Sequence, residues 1–342
     1  MYKSLFTDVL KGKEGSRPPV WYMRQAGRVL PDYRKLRERH SFQEMMEQPE
    51  LAADVTLMPV AVLGVDASIL FNDILSIPVS MGMELVWTDH GPQFLKPLCH
   101  EDDIHHLFHP DLSKLNHVYE TLDIVKKRGN APTIGFCGAP LTTLCYMLQG
   151  TSAKHDFPDA KKFFYARPQE TCYLIDMLTD ICIEYALKQI EHGIDAFQLF
   201  DTHAGIVPLE LYEASFLPAV KKIAAAVRSH NVPFIYFPKG IGTGLSLMTP
   251  EVCDFVSIDW QTSLSRAREM VHQDVGLQGN IDPFLLFSSK EKIESTMRKD
   301  YVPFFQNHNK WIVNLGHGVM ADTPIENLLF LTEWIKDETN WW

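Results

Sequence analysis

What this chain lacks narrows its class before any motif is weighed. No run of about eighteen uninterrupted apolar residues occurs, which argues against a membrane-spanning helix. The six cysteines, Cys99, Cys137, Cys145, Cys172, Cys182 and Cys253, form no CxxC pair, and their spacing fits neither a zinc knuckle nor a disulfide framework. Reduced, buried thiols are therefore expected. No glycine-rich dinucleotide turn follows the first β-prone run. No internal repeat, low-complexity tract or linker-like composition shift divides the chain, so residues 1–342 read as one domain. Basic charge is in deficit, with 32 Lys and Arg against 43 Asp and Glu and a formal net charge of −11. That argues against nucleic acid or an anionic membrane as partner. The first ten residues place apolar side chains at helical spacing and resemble neither a secretory leader nor an Arg-rich transit peptide, so a cytosolic location is expected.

What is present is an alternation. Short apolar, β-prone runs lie at Val20–Met23, Ala67–Phe71, Thr133–Phe136, Ala196–Phe200, Phe234–Phe237, Phe255–Ile258, Val275–Gln278 and Trp311–Asn314. Longer helical patterns separate them, including 49–63, 115–127, 140–148, 169–192, 209–228, 264–272, 290–304 and 324–336. Residues 84–95 read as a β-hairpin inserted after the second strand, with Asp89-His90-Gly91 as its turn. Eight strands alternating with helices predict an α/β fold of the (β/α)8 TIM-barrel type, carrying an N-terminal extension. An open doubly wound sheet is the competitor, weakened by the missing glycine-rich turn.

Active sites of such barrels lie at the C-terminal ends of the strands. There the sequence places Arg24, Asn72-Asp73, Asp201-Thr202-His203, Lys239, Asp259, Asn280 with Asp282, and Gly316-His317-Gly318. The third strand instead ends in Cys137-Gly138-Ala139-Pro140, with Tyr146 one to two helical turns on. Polar groups at strand ends are partly turn chemistry, but charged, amide and imidazole groups beside glycine exceed what turns require. The stretch Pro19-Val20-Trp21-Tyr22-Met23-Arg24-Gln25-Ala26-Gly27-Arg28-Val29-Leu30-Pro31-Asp32-Tyr33-Arg34 concentrates three arginines in eleven residues, two of them between its prolines. Arginine's planar fork fits a carboxylate with two hydrogen bonds. A helical turn here would put Arg24 and Arg28 on one face, either as a solvated surface or as a grip for a polycarboxylate. Because the net charge repels anions, such a grip must act locally, and a Debye length of about 8 Å at physiological salt permits that.

That string closely resembles the signature of the uroporphyrinogen decarboxylase family. So do Phe71-Asn72-Asp73-Ile74-Leu75, Gly135-Phe136-Cys137-Gly138-Ala139-Pro140, Leu199-Phe200-Asp201-Thr202-His203-Ala204-Gly205, Leu277-Gln278-Gly279-Asn280-Ile281-Asp282-Pro283 and Asn314-Leu315-Gly316-His317-Gly318, in the family's order. The resemblance implies a (β/α)8 barrel, a homodimer, no cofactor and no metal. It implies conversion of uroporphyrinogen III, a small molecule with eight carboxylates, to coproporphyrinogen III in haem biosynthesis. In that conversion four acetate side chains lose carbon dioxide in turn. The pyrrole ring, once protonated on carbon, would itself accept the electrons of the breaking bond, where other decarboxylases use pyridoxal or thiamine.

On this likeness Asp73 and Arg24 are the catalytic candidates. Asp73 would accept hydrogen bonds from the pyrrole NH groups and stabilise the cationic ring; as a residue after a strand it also suits a helix cap. Arg24 and Arg28 would bind substrate carboxylates, with Arg24 as an open candidate for proton relay, although arginine is a poor acid. Tyr146, Thr202 and His317 complete the expected substrate-binding set. Their plain readings are a core aromatic, a strand-end hydroxyl and a turn histidine. Thr202 departs from the family's common serine and is stiffer about χ1; Asn72 and Val29 are further departures, outside the charged set.

Two rivals share features of this reading. Related corrinoid-dependent methyltransferases hold zinc through a His-x-Cys pair and a distant cysteine, and no His-x-Cys occurs here. A tetrapyrrole carrier would keep the arginines without needing Asp73. The cluster Asp102, Asp103, His105, His106 and His109 invites a metal reading, since His105 and His109 would share a helix face. Its polar context and Pro110 favour a solvated loop.

Overall fold

The computed structural model describes residues 4–88, 91–100, 104, 110–152 and 156–342. Strands β1 (Ser68–Ile69), β4 (Thr133–Gly138), β5 (Ala196–Asp201), β6 (Phe234–Pro238), β7 (Phe255–Ser257), β8 (Gly276–Gln278) and β9 (Trp311–Ile312) form one parallel sheet in that order. Strands β2 (Leu85–Thr88) and β3 (Gly91–Phe94) pair antiparallel after β1, with Leu85 opposite Phe94 and Thr88 opposite Gly91. Residues 89 and 90 of the expected turn, and the cluster Asp102, Asp103, His105, His106 and His109, lie outside the described residues.

The expected first strand, Val20–Met23, is a correction. It makes a single parallel bridge, Val20 with Val313. Pro18 and Pro19 bring no N–H to a ladder. The last two N–H groups of the segment are taken by side chains: Tyr22 donates to Gln25 Oε1 (3.0 Å) and Met23 to Asn314 Oδ1 (3.0 Å). The segment nevertheless joins the sheet's two edges. Val313 N donates to Pro19 O and Trp21 N to Val313 O on the β9 side, while Asp66 N donates to Val20 O just before β1. The barrel therefore closes through a link of a few residues.

Closure is also visible inside. Gln278 Nε2 on β8 donates to Gln198 Oε1 on β5 at 3.0 Å, although β6 and β7 lie between those strands in the sheet. Such a bond can only cross the barrel interior. Trp21 Nε1 donates to Gln278 Oε1 (2.9 Å) and Gln278 Nε2 also reaches Ser257 Oγ (3.1 Å). These side chains are 0–1% exposed, so every bond among them is protected from water. Outside, helix Pro168–Glu191 is fastened to β4: Gln189 accepts from Phe136 N and donates to Phe136 O, both at 3.0 Å.

Two helical patterns run across prolines that a regular helix would reject. Between 209 and 228 the hydrogen-bond ladder widens to i→i+5 over Tyr212–Phe216 before helix Leu217–Arg228, whose second residue is Pro218. The same widening over Met297–Tyr301 precedes Pro303. A widened turn releases the carbonyl that the proline ring would strike. Four of the six free cysteines are buried as expected; Cys172 is exposed and Cys99 half-buried.

The closing segment is secured by one ion pair. Arg17 Nη1 and Nη2 meet Asp66 Oδ2 and Oδ1, each at 2.8 Å, and Asp66 Oδ2 also accepts from Val20 N at 2.8 Å. Both side chains are nearly buried, at 11% and 13% exposure. Asp66→Ala would strand the Arg17 charge and the Val20 donor together. The expected loss is about 3 kcal/mol of unfolding free energy, read from the urea midpoint; an unchanged midpoint would show that the barrel closes without the pair.

Candidate active site

Arg24 begins where the closing segment ends. Its backbone is left-handed, φ 60°, which turns the chain sharply out of the barrel wall. The turn is fixed on its β9 side, because Val319 N donates to Met23 O at 2.8 Å. Gly318 is needed there: any Cβ would overlap the Arg24 stem. Residues 24–30 are turns, and the helix starts only at Pro31 (Pro31–Arg37). A shared helical face for Arg24 and Arg28 is therefore corrected; both are exposed, but no helix aligns them. Arg34, the third arginine, is structural: its Nη1 donates to the carbonyls of Arg28 (2.7 Å) and Val29 (3.2 Å).

Asp73 follows β1 by four residues. Its Oδ1 accepts from Leu75 N at 2.8 Å, a bond within the turn before the short helix Ser76–Ser80; the N-cap of that helix is Leu75, without a side-chain bond, so Asp73 is not the helix cap of the plain alternative. Among the described residues nothing donates to Oδ2, which stays open to a ligand. Asn72 stiffens the turn, donating to Tyr185 OH (2.7 Å) and accepting from Ser76 Oγ (2.9 Å). Burial pushes the Asp73 carboxyl up to about 6, against the opposing pull of the Leu75 N–H and the Arg24 guanidinium. The residue still keeps partial access to solvent, as the floor of a cleft does.

Two histidines face this floor from other strands. His317, beyond β9, takes a hydrogen bond from Gly318 N on its Nδ1 at 2.7 Å. That nitrogen is therefore unprotonated, and Nε2 carries the proton and can donate. Its ring stacks on Trp260 (6.1 Å, 21°) and meets Phe237 edge-on (6.2 Å). Burial, with the cations Arg24 and Lys239 nearby, holds the imidazole down to about 3. His203, beyond β5, is held down to about 4 by burial and Lys239. It lies 4.5 Å from the Phe157 ring, with Nε2 3.5 Å from Tyr146 OH. Tyr146, on helix Pro140–Gln149, is half-buried, and its phenol feels the charges of Asp73 and Arg24. The core reading of Tyr146 thus yields to a place at the mouth.

The loop carrying Thr202 and His203 is braced from beneath. Asp201, 1% exposed, accepts from Thr142 Oγ1 (2.6 Å) and Tyr236 OH (2.7 Å), and Thr142 Oγ1 accepts from His203 N (3.0 Å). Tyr212 OH pairs with Tyr236 OH. Thr202 is half-buried, and its hydroxyl has no partner among the described residues.

Electrostatics thus bring Arg24, Asp73, Tyr146 and His317 together, with His203 and Lys239 beside them. Arg28 is not drawn into that set: its charge is felt by the Tyr33 phenol, and its carbonyl accepts from Arg34. Three of the polar strand ends turn out to be scaffolding. Asp259 accepts from Gly240 N and Gln261 N, Asn280 donates to the carbonyls of Asp259 and Thr262, and Asp282 accepts from Phe284 N. Phe157 and Trp260 were missed. Trp260 directly follows a strand-end aspartate, a signal that was available, whereas Phe157 comes from a loop that no periodicity marks. Among the described residues no group of three His, Cys, Asp or Glu is placed to hold a metal.

Comparisons with known proteins bear on this cleft. The family model for uroporphyrinogen decarboxylase (URO-D) matches residues 1–338. A uroporphyrinogen decarboxylase of Geobacter metallireducens is 39% identical over 333 residues, covering 96% of each chain. One from Chloroherpeton thalassium is 36% identical over 343 residues, covering 98% of this chain and 97% of that protein. Among solved structures, a methyltransferase from Methanosarcina mazei superposes with a TM-score of 0.82 at 20% identity, covering 98% of this chain and 99% of the other. A B12-independent methionine synthase from Shewanella sp. W3-18-1 follows at TM-score 0.54 and 12% identity, covering 85% and 88%. At such identities the structural likeness shows the fold alone, whereas the full-length matches in sequence show descent. The chain belongs to the uroporphyrinogen decarboxylase family.

Proposed function

We propose that this cleft removes carbon dioxide from the four acetate side chains of uroporphyrinogen to give coproporphyrinogen, with Asp73 and Arg24 as catalytic residues. The observation that carries the reading is Asp73: a carboxylate at the cleft floor with one oxygen anchored and the other open, opposite a guanidinium. A carrier needs no such group.

Each step must give the electrons of the C–CO2 bond a destination. Protonation of a pyrrole carbon makes the ring cationic; the bond to the carboxylate then breaks, its electron pair enters the ring, and carbon dioxide departs. The exocyclic methylene left behind takes up a proton as the ring carbon releases its own, so one proton is consumed per acetate. The ionised Asp73, an acceptor only, binds the pyrrole NH groups. As the ring gains charge, that contact strengthens in a site of low dielectric, so the transition state gains more than the ground state. Arg24, Tyr146, His317 through Nε2–H, and Thr202 through its free hydroxyl are donors for the remaining carboxylates. Arg28, exposed on the same turn, belongs to the outer part of this grip. The chemistry calls on no cofactor.

A homodimer and a cytosolic location belong to the same reading and rest on the family likeness. No helix among the described residues is long and apolar enough to cross a membrane. The methyltransferase alternative has the fold in its favour, but the sequence offers no His-x-Cys ligand pair.

Four outcomes are expected. The purified chain, without added cofactor or metal, should convert anaerobically prepared uroporphyrinogen to coproporphyrinogen; folded protein giving no product, or activity abolished by chelators, would sink the reading. Asp73→Asn should lower kcat about a hundredfold or more with little change in KM, and equal losses in both would mean binding alone. The variant should also be at least as stable as the parent. Because the folded pKa of Asp73 is raised, its proton is held more tightly in the folded state, so stability falls as pH rises from about 4 through about 6. At neutral pH the ionised carboxylate is a liability that asparagine removes. By the same sign, kcat/KM should decline as pH drops through about 6 and Asp73 takes up its proton; a profile flat from pH 7 to 5 would exclude an essential carboxylate with that pKa.

A further inference from the structure

We propose that Lys239 is a substrate-binding residue that pairs with a carboxylate not being cleaved, a propionate of the tetrapyrrole; this rests on the decarboxylase reading of the same cleft.

Lys239 directly follows β6, at the strand end that faces the cleft, and is half-buried. Its backbone is fixed on both sides: its N–H donates to Asp201 O (3.1 Å) and its carbonyl accepts from Gly205 N (3.1 Å). Its ammonium lies 5.7 Å from the centre of the Trp260 ring, and that ring stacks on His317. Both cleft histidines feel its charge. The ammonium therefore lies beside the Trp260–His317 stack, and His317 feels both it and Arg24.

No carboxylate answers it. Among the described residues no Asp or Glu oxygen lies within 4 Å of Nζ, and no hydrogen bond engages it, although fifteen other ion pairs of that kind are formed. The two acids bonded to its own backbone N–H and to that of Gly240 are already occupied. Asp201 holds Thr142 and Tyr236, while Asp259 holds the N–H groups of Gly240 and Gln261. Both neighbouring imidazoles are neutral and can only donate or accept a hydrogen bond, not balance a charge. An unpaired ammonium half-withdrawn from water, in a protein of net charge −11, is matched by an anion from outside.

The choice among substrate carboxylates follows from the chemistry. A leaving carboxylate must lose its charge as carbon dioxide forms, so a fixed ammonium on it would stabilise the ground state more than the transition state. A propionate keeps its charge throughout and persists in the product. Lysine is a strongly hydrated point charge on a flexible stem, suited to holding the same arm as successive rings are presented.

The test compares Lys239→Met, which keeps the stem on Trp260, with Lys239→Arg, which keeps the charge. Lys239→Met should raise KM for uroporphyrinogen about tenfold or more with kcat little changed, and should flatten the fall of kcat/KM with added salt. Lys239→Arg should keep the parent's salt dependence. A stem that merely packs would leave KM and the salt slope of Lys239→Met unchanged, and that result overturns the proposal. A second measurement needs no variant: coproporphyrinogen at saturation should protect Lys239 of the native enzyme from acetylation by acetic anhydride, while exposed Lys13 is labelled as before. Equal labelling of Lys239 with and without product overturns the assignment. An inactive parent protein sinks the decarboxylase reading instead, and with it this subsite; an active parent with either negative result sinks the subsite alone.

Discussion

The structure hangs on the closure of its barrel by the short segment between Pro18 and Met23. Seven strands curl, but among the described residues it is this link that joins β9 to β1, and it has too few ladder bonds to act as a strand. The Arg17–Asp66 pair supplies what the ladder lacks, fixing a backbone N–H and two nearly buried charges at once. Trp21 extends the link inward to the Gln278–Gln198 contact across the barrel interior. Arg24 is the first residue free of these restraints. Its left-handed turn, the Met23–Val319 bond and the bare Gly318 place one guanidinium over the cleft as a direct consequence of how the barrel shuts.

The cleft sets local charge against global charge. A protein with 11 excess negative charges must bind a polyanion, and its cations at the mouth are few. Both histidines are kept neutral, so they contribute hydrogen bonds and aromatic surface without adding to a positive field that would hold product too well. Asp73 runs the opposite way. Its burial destabilises the ionised form, with a single backbone donor and Arg24 to offset it. A charge left poorly solvated gains most when a cation forms against it, which is what a developing pyrrole cation would provide. The instability is local and is the condition for differential binding.

The alternation of buried β-runs with long helical patterns was legible because each is a few residues of one periodicity, and parallel barrel strands are apolar on both faces. Elements whose hydrogen bonds go to side chains were not. Val20–Met23 has strand composition, but the side chains of Asp66, Gln25 and Asn314 take three of its four N–H groups. Arg24 and Arg28 have helical spacing, yet the backbone between them turns. For Asp73 the sequence suggested either a cap or a charge stabiliser; the structure commits one oxygen to the turn through Leu75 N and leaves the other open among the described residues. Asp259, Asn280 and Asp282 looked like site residues because turn chemistry and site chemistry use the same side chains. Phe157 could not be foreseen, since the contact with His203 depends on a loop's path and not on any pattern.

His317 decides how acid should act on the site. Its Nδ1 accepts the Gly318 N–H, so a second ring proton would have to break that bond inside a pocket already shared with Arg24 and Lys239. Mild acid therefore leaves the histidine as it is, a donor through Nε2. His203 is held low by burial and by the Lys239 charge. Among the described residues two carboxyls near the cleft are pushed up to about 6 by burial, Asp73 and, beneath the Thr202–His203 loop, Asp201. Acid near pH 6 therefore acts on the cleft in two places, at the open oxygen of Asp73 and at the Thr142 and Tyr236 bonds that brace the loop.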